Sequence, residues 1–309
     1  MPPSDPRAPR ARRERHTAGR DHMSDLRGRL RRLVRRGPRD VLYAHAATNG
    51  GNHLYLWMLA HTLRRGNPQT YVQVVPSQAP WVAEFPALAE LCLPGRMHVT
   101  DRRIARLGAG FDSDFTRSDL TDFTRARLLS SPSFTDRLAA AREVVTPGTL
   151  TVNVRRGDYY GTVHEAEFGI RIVPYVAAAL ALQAARAPLG HVQVVSDDLP
   201  WCQANLAPTL DEAGVTSASF TRPGTNMFDD IAALAVSRRL VLANSTFSYW
   251  GGYLATVLGT DPADVVAPYF HQRAFGQREP WFHDPAWSYV RDVPGGWQPP
   301  APAPEADAR

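Results

Sequence analysis

Short apolar runs alternate with amphipathic stretches along most of the chain. The predicted strands are 41–44, 70–75, 149–154, 191–195, 239–243 and 265–267. The predicted helices are 54–63, 173–186, 226–237 and 244–258, and 96–147 is predicted to be mostly helical with loops. Strands that alternate with helices are typical of parallel sheets with helices on both faces. The pattern therefore predicts an α/β fold of two doubly wound Rossmann-type domains that face each other across a cleft.

The predicted domains are an N-terminal one over 40–147 and a C-terminal one over 148–297. Residues 1–22 are rich in Arg and Pro, 298–309 are rich in Pro and Ala, and neither segment has periodicity, so both are expected to be disordered. Residues 23–38, which follow the arm, are predicted to form a basic amphipathic helix, and Met23 is an alternative start of translation. Its arginines would rest on an anionic membrane surface, or the helix would pack on the body or be solvated.

The charge of the chain is uneven. The formal net charge is +5, but residues 1–39 carry 13 Arg against four acidic residues, which leaves the remainder at −4. A negative body argues against a nucleic-acid partner. The chain has no apolar run of 18 residues, no signal-peptide pattern and only two cysteines, so a cytoplasmic location, with peripheral contact at the inner face of the membrane as an option, is expected.

Ligands of doubly wound sheets bind beyond the carboxyl ends of the strands. The loops expected to matter are therefore 48–53, 155–167, 196–201 and 244–251.

The run from Asn153 to Tyr159 ends an apolar strand with two arginines, a glycine and an aspartate. Guanidinium groups keep their charge and match phosphate oxygens two at a time, so Arg155 and Arg156 are candidate anion ligands. The alternative is an ordinary Arg–Asp pair at the end of a surface strand.

The run from Asn244 to Gly252 lies where a predicted buried strand passes into a helix. Hydroxyl side chains at a helix start cap free N–H groups, and the same N–H groups form an anion site. The alternative is a capped helix with aromatic packing, although this does not require Ser245, Thr246 and Ser248 together.

The run from Ser196 to Cys202 places carboxylates at another strand end. Asp197 would accept hydrogen bonds from a guanine or a ribose. The alternatives are an aspartate that caps a helix before Pro200, or an Asp-X-Asp-like metal site, for which Asp112 and Asp114 also qualify. Because the two arginines already supply a counter-charge for phosphate, no metal is required.

Together with the glycine loop Gly50–Leu54, these three runs resemble the bacterial α-1,2-fucosyltransferases of glycosyltransferase family 11. The family's His-X-Arg-Arg-Gly-Asp-Tyr run is similar to Asn153–Tyr159, with Asn153 in place of histidine. Its Ser-Asp-Asp-X-X-Trp-Cys run is matched throughout by Ser196–Cys202. Its Asn-Ser-Thr-Phe-Ser-Trp-Trp-Gly run is matched by Asn244–Gly251, with Tyr249 for one Trp. The resemblance spans roughly residues 40–290.

The resemblance implies a GT-B-like fold, GDP-fucose as donor, inversion at the fucose carbon, a glycan acceptor that offers O-2 of a terminal galactose, and neither metal nor other cofactor. It implies that the N-terminal domain is the acceptor side and the C-terminal domain binds the nucleotide sugar. Arg155 would grip the β-phosphate, and Asp158 is the second catalytic candidate. The donor-binding candidates are Gly51, Asn52, Asn153, Arg156, Ser196, Asp197, Asn244, Ser245, Thr246, Phe247 and Ser248. The alternatives are another nucleotide sugar or a natural-product acceptor, or an inactive module that binds a nucleotide sugar or a glycan.

The sequence offers several candidates for the general base. Asp158 lies beside two arginines, which make a carboxylate a weaker base, so a role in orienting Arg155 or Arg156 is an alternative. His164, Glu165 and Glu167 in the following loop are further candidates.

Overall fold

The structure is a computed structural model that describes residues 38–43, 48, 50–222, 224–275 and 280–298. The predictions for the arm 1–22, for the basic helix apart from Pro38, and for the tail apart from Gln298 lie outside the described residues.

The described elements include all six predicted strands and all four predicted helices, in the predicted order. The strands are β1 (Asp40–Tyr43), β2 (Thr70–Gln73), β3 (Arg102–Ile104), β4 (Leu150–Val154), β5 (His191–Ser196), β6 (Ser217–Ser219), β7 (Arg239–Val241), β8 (Val265–Pro268) and β9 (Ser288–Val290). The helices are α1 (Asn52–Leu63), α2 (Ala79–Glu84), α3 (Arg117–Phe123), α4 (Pro132–Val144), α5 (Glu165–Phe168), α6 (Ile172–Ala184), α7 (Leu199–Glu212), α8 (Met227–Val236) and α9 (Thr246–Val257).

The larger sheet has the strand order β6-β5-β4-β7-β8-β9, and all its pairs are parallel. Every residue of β4 is buried, as is typical of a central strand covered by helices on both faces. The chain runs outward from β4 to β6 on one side and then continues from β7 to β9 on the other. The order reverses between β4 and β7, where doubly wound sheets bind their ligands.

The smaller sheet has the order β2-β1-β3, and its pairs are also parallel, with Val41 opposite both Tyr71 and Arg103. The predicted α/β class with two parallel sheets is confirmed. The strands β3, β6 and β9 were not predicted; each has only three residues. The predicted domain limits stay a prediction.

One hydrophobic cluster joins the two sheets. Aromatic rings from α1 and α9 meet in it, with the ring centroids of Tyr55 and Trp250 5.2 Å apart. Helix α4 packs against α8, and Arg137 of α4 forms ion pairs with both Glu84 and Asp229. These buried contacts and ion pairs hold the two sheets together. They therefore fix the position of one sheet relative to the other.

Among the residues that the structure describes, none of the helices is both long and apolar enough to cross a membrane.

Candidate active site

A cavity of about 800 Å³ lies between the two sheets, beyond the carboxyl ends of β4, β5 and β7. All four loops that the sequence analysis selected contribute to it. The lining residues from these loops are Gly50, Gly51, Asn52, Arg155, Asp158, Tyr159, His164, Ser196, Asp197, Ser245, Thr246 and Phe247. The structure therefore brings most of the predicted site residues together at the point where the strand order reverses.

Arg155 lies between two carboxylates of this cavity. Its Nη1 is 2.6 Å from Oδ2 of Asp197, and its Nη2 is 2.6 Å from Oδ1 of Asp158. Burial acts to lower the pKa of Arg155, but the two carboxylates outweigh this and the pKa is raised. An incoming anion would meet a permanent cation that is already neutralised. The side chain of Asp158 is the more exposed of the two partners, so it is the one that an anion can displace more easily.

Both carboxylate oxygens of Asp197 are engaged. Oδ1 accepts a hydrogen bond of 2.8 Å from the backbone N–H of Arg156, and Oδ2 pairs with Arg155. A Cβ at position 157 would collide with this carboxylate, so Gly157 permits its approach. Asp197 thus supports Arg155, and its predicted contact with the nucleoside stays a prediction.

Arg156 is oriented away from the cavity. Its guanidinium carbon lies 4.0 Å from the ring centroid of Trp201 and 4.5 Å from that of Tyr160, and its Nε donates to Asp198 at 2.9 Å. This hydrogen bond lowers the pKa of Asp198, which also caps α7 by accepting from the N–H of Trp201. Arg156 therefore anchors the loop, and it is not among the lining residues that could grip an anion.

The amino terminus of α9 opens into the cavity. Ser245 precedes the helix with an extended backbone, and its side chain does not cap the helix. It lies near Tyr159, whose pKa burial raises to about 12. The first N–H groups of a helix have no partner within the helix, and they carry its positive end. Thr246 and Phe247 line the cavity here, so the geometry offers the anion site that the sequence predicted.

Three predicted donor-binding side chains make contacts within the protein. Ser248 accepts a hydrogen bond of 2.9 Å from the backbone N–H of Ala243, and Asn244 donates to the carbonyls of Phe168 and His271. Neither Ser248 nor Asn244 lines the cavity. Asn153 does line it, while its amide donates to the carbonyl of Val195 at 2.9 Å. Their roles in binding stay predictions.

Gly51 brings the amino-terminal loop of α1 against α9. A Cβ at this position would lie 2.5 Å from the carbonyl carbon and oxygen of Thr246. We expect Gly51→Ala to force the two helix starts apart, at a cost of about 1–3 kcal/mol in the free energy of unfolding, and to weaken anion binding. Thermal unfolding and calorimetric titration with GDP measure the two effects.

Gly148→Ala is the matched control, because no atom lies within 4 Å of a Cβ at that position. Equal stability and equal affinity in the two variants would contradict the close approach.

Several lining residues were missed by the sequence analysis. Asp230, in the first turn of α8, pairs with Arg222 at 2.7 Å through Oδ2, while its buried Oδ1 has no hydrogen-bond partner among the described residues. Burial raises the pKa of Asp230, although Arg222 opposes the shift. A buried carboxylate oxygen without a partner is costly, and it indicates a place for a donor group of a ligand.

Further lining residues that the sequence did not assign to donor binding belong to the loop after β3 and to the segment after β8. They are Arg106, Leu107, Gly108, Ala109, Asp114, His271, Gln272, Trp281 and Phe282. Burial lowers the pKa of His271 to about 3, so its imidazole is neutral at neutral pH. The clustering of these residues depends on how the two sheets pack, which no local pattern in the sequence reports.

The candidates for the general base differ in whether they line the cavity. Glu165 accepts a hydrogen bond from the N–H of Gly161, and Glu167 accepts one from the N–H of Ala274. Neither glutamate lines the cavity, whereas Asp158 and His164 do. The last two therefore remain the candidates that an acceptor hydroxyl could reach.

The Asp112–Asp114 segment does not present two free carboxylates. Asp114 pairs with Arg106 and accepts a hydrogen bond from the N–H of Gly110. Within the described part of the chain, no three His, Cys, Asp or Glu side chains are grouped so that they could hold a metal ion. Independence from metal stays a prediction.

Residues 140–291 match the model of a protein family described as glycosyl transferase family 11. A curated relative, the O-antigen biosynthesis glycosyltransferase WbnK of Escherichia coli, is 27% identical over 109 residues, which cover 35% of this chain and 35% of the relative. The chain thus matches about a third of that relative's length.

Two solved structures are also similar to this chain. A NodZ alpha-1,6-fucosyltransferase soaked with GDP-fucose has a TM-score of 0.35 and 16% identity, over 70% of this chain and 92% of the other. The ADP-heptose LPS heptosyltransferase II of E. coli has a TM-score of 0.41 and 8% identity, over 82% and 90% of the two chains. The region of the family match contains β4 to β9, and with them Arg155, Asp197 and the start of α9.

Proposed function

We propose that this chain, whose residues 140–291 match the model of glycosyl transferase family 11, transfers a sugar from a nucleoside diphosphate donor to a hydroxyl group. The proposed reaction is inverting, metal-independent transfer of L-fucose from GDP-fucose to a glycan, at O-2 of a terminal galactose. The close similarity of three sequence runs to the fucosyltransferases of this family supports the choice of donor and linkage.

One observation carries the proposal. Arg155 and the uncapped start of α9 line the same cavity, at the reversal of strand order in the larger sheet. A guanidinium and a helix start are complementary to a diphosphate, and they stabilise the charge that develops on it as it leaves.

In the proposed step, the acceptor oxygen attacks the anomeric carbon from the face opposite the diphosphate. The bond between this carbon and the phosphate oxygen breaks, and its electron pair leaves with GDP. The hydroxyl proton passes to a base, for which Asp158 and His164 are placed in the cavity. As the diphosphate takes over Nη2 of Arg155, Asp158 loses its ion pair, and its carboxylate is then free to accept the hydroxyl proton.

We place the guanine near Asp230. An ionised carboxylate only accepts hydrogen bonds, and guanine offers N1–H and N2–H₂ side by side. Uracil has a single N–H between two carbonyls, and these would be repelled by the carboxylate. The unpartnered Oδ1 of Asp230 and its pairing with Arg222 through Oδ2 leave acceptor capacity for such a base edge.

Calorimetric titration with GDP-fucose, GDP-mannose and UDP-galactose tests the choice of donor. We expect GDP-fucose to bind at least about tenfold more tightly than UDP-galactose, which corresponds to about 1.4 kcal/mol. We also expect lactose to accelerate GDP release from GDP-fucose equally with EDTA or with Mg²⁺, and NMR to show an α-linked product.

Tighter binding of UDP-galactose than of GDP-fucose would refute GDP-fucose as the donor. Binding of GDP-fucose without any acceleration of GDP release by lactose would favour a binding module or a different acceptor. Loss of turnover in EDTA would refute metal independence.

A further inference from the structure

One wall of the cavity is formed by elements that the donor chemistry does not use. We call it the distal wall; it consists of Arg106–Ala109, Asp114 and Trp281, all of which line the cavity. It follows β3 of the smaller sheet, and Trp281 comes from the segment before β9. Arg155 and the start of α9, which are proposed to hold the diphosphate, line the same cavity but are not part of the distal wall.

The distal wall is held in place by specific contacts. The backbone N–H of Phe111 donates to the carbonyl of Trp281 at 2.7 Å, and Arg117 pairs with Asp284 at 2.6 Å. Gly108 has φ +72°, and a Cβ there would lie 2.5 Å from the side chain of Leu59. These contacts join the loop after β3 to the segment before β9. The distal wall is therefore preformed in the absence of a ligand.

The side chains of the distal wall combine an aromatic face with a paired charge. Trp281 is 42% exposed. Arg106 and Asp114 form an ion pair, and Asp114 also accepts a hydrogen bond of 2.9 Å from the N–H of Gly110. Because each charge of this pair has its counter-charge, the wall suits a neutral ligand that both donates and accepts hydrogen bonds. An exposed indole adds a partner for an apolar, weakly positive C–H surface.

We propose that the distal wall is the acceptor subsite and binds a terminal β-galactoside, with the indole of Trp281 against the sugar face that carries H3, H4 and H5. The axial O4 of galactose leaves these three C–H groups together on one face, and this patch matches the indole. Arg106 and Asp114 hydrogen-bond to ring hydroxyls. The inference rests on the proposed function for the identity of the donor, but sugar binding at the wall does not depend on it.

The test uses the full chain, with lactose as the acceptor probe. The variants are Trp281→Ala, Trp281→Phe and Arg106→Gln, and Leu182→Ala is the matched control, since Leu182 is an exposed apolar residue of α6 outside the cavity lining. Three quantities are measured: the KM for lactose in GDP release from GDP-fucose, the lactose-free hydrolysis of GDP-fucose, and saturation transfer from the protein to lactose protons without donor.

We expect Trp281→Ala to raise the KM for lactose about tenfold, because the aromatic contact is lost. Trp281→Phe should raise it only about threefold, because an aromatic ring is retained. Arg106→Gln is expected to raise it by a factor between these two. Lactose-free hydrolysis and the affinity for GDP stay within twofold of the wild type. In the wild type, saturation transfer is strongest at H3, H4 and H5 of galactose, and it is lost in Trp281→Ala.

An unchanged KM in Trp281→Ala, or an equal fall in GDP affinity, would overturn the subsite. Absence of saturation transfer to galactose in the wild type would overturn it as well. If the wild type shows the expected saturation transfer but releases no GDP from GDP-fucose, the donor proposal fails and the subsite stands.

Discussion

Replacing Arg155 with alanine is expected to lower the rate of sugar transfer by a factor of roughly 10²–10³, the cost of removing one preorganised donor to a developing charge. Arg155 is the lining cation that is paired with both Asp158 and Asp197. Without it, these two carboxylates face the diphosphate with no counter-charge, so binding of the donor is weakened too. Turnover with saturating GDP-fucose and lactose gives the rate, and calorimetry with GDP gives the affinity.

Two further variants define the cause. Arg155→Lys keeps a positive charge but loses the planar fork, so an intermediate loss is expected. Arg186→Ala removes an arginine that pairs with Asp264 away from the cavity, and it should leave turnover unchanged. The thermal midpoint of Arg155→Ala should stay close to that of the wild type. Turnover in Arg155→Ala within tenfold of the wild type would refute its assignment to the leaving diphosphate.

The sequence predicted the central strands of the larger sheet because Val or Leu recurs along each of them. The strands β4, β5 and β7 are buried along nearly their whole length, and such runs are typical of parallel sheets. Once these strands are located, the rule that ligands bind at the carboxyl ends gives the loops 155–167, 196–201 and 244–251. This is why Arg155, Asp197 and Ser245 could be selected as a group without a structure.

The edge strand β6 could not be predicted in the same way. Its sequence is Ser217–Ser219, and two of its three residues are exposed, so it carries no apolar signal. With the strand missed, the loop that follows its carboxyl end was not considered, although it leads to Arg222 and Asp230. A short polar strand at the edge of a sheet is defined by its backbone pairing with β5, and this is a tertiary property.

Adjacent residues with the same chemistry were also indistinguishable in the sequence. Arg155 and Arg156 both follow β4, yet the first lines the cavity and the second stacks on Trp201. Similarly, Ser245 lines the cavity while Ser248 accepts from the N–H of Ala243. Beyond the end of a strand the backbone is irregular, so the direction of each side chain depends on the neighbouring loops.

The second large effect is expected at Asp230. In the wild type, GDP should bind more tightly than inosine diphosphate, which lacks the N2 amino group, by a factor of roughly 10–100, the value of one hydrogen bond to a charged group. Asp230→Asn replaces a carboxylate oxygen with an amide that donates, so GDP loses affinity and the preference for GDP over inosine diphosphate largely disappears. Calorimetric titration of the wild type and of Asp230→Asn with GDP and with inosine diphosphate measures this preference.

The pH dependence provides an independent readout. Because burial raises the pKa of Asp230, acidification protonates this carboxyl before an exposed aspartate, and a protonated carboxyl accepts poorly from guanine. GDP affinity should therefore fall as the pH is lowered toward that raised pKa in the wild type, and it should fall less in Asp230→Asn.

Asp229→Asn is the matched control for Asp230→Asn, because Asp229 is adjacent but pairs with Arg137 and accepts hydrogen bonds from the N–H groups of Thr225 and Asn226. This control should lower the thermal midpoint while the preference for GDP over inosine diphosphate stays as in the wild type. If the preference survives in Asp230→Asn, the guanine does not lie against this carboxylate, and the unpartnered oxygen serves another donor. If it is lost in both variants, the start of α8 positions the base through its backbone, and Asp230 does not read the base.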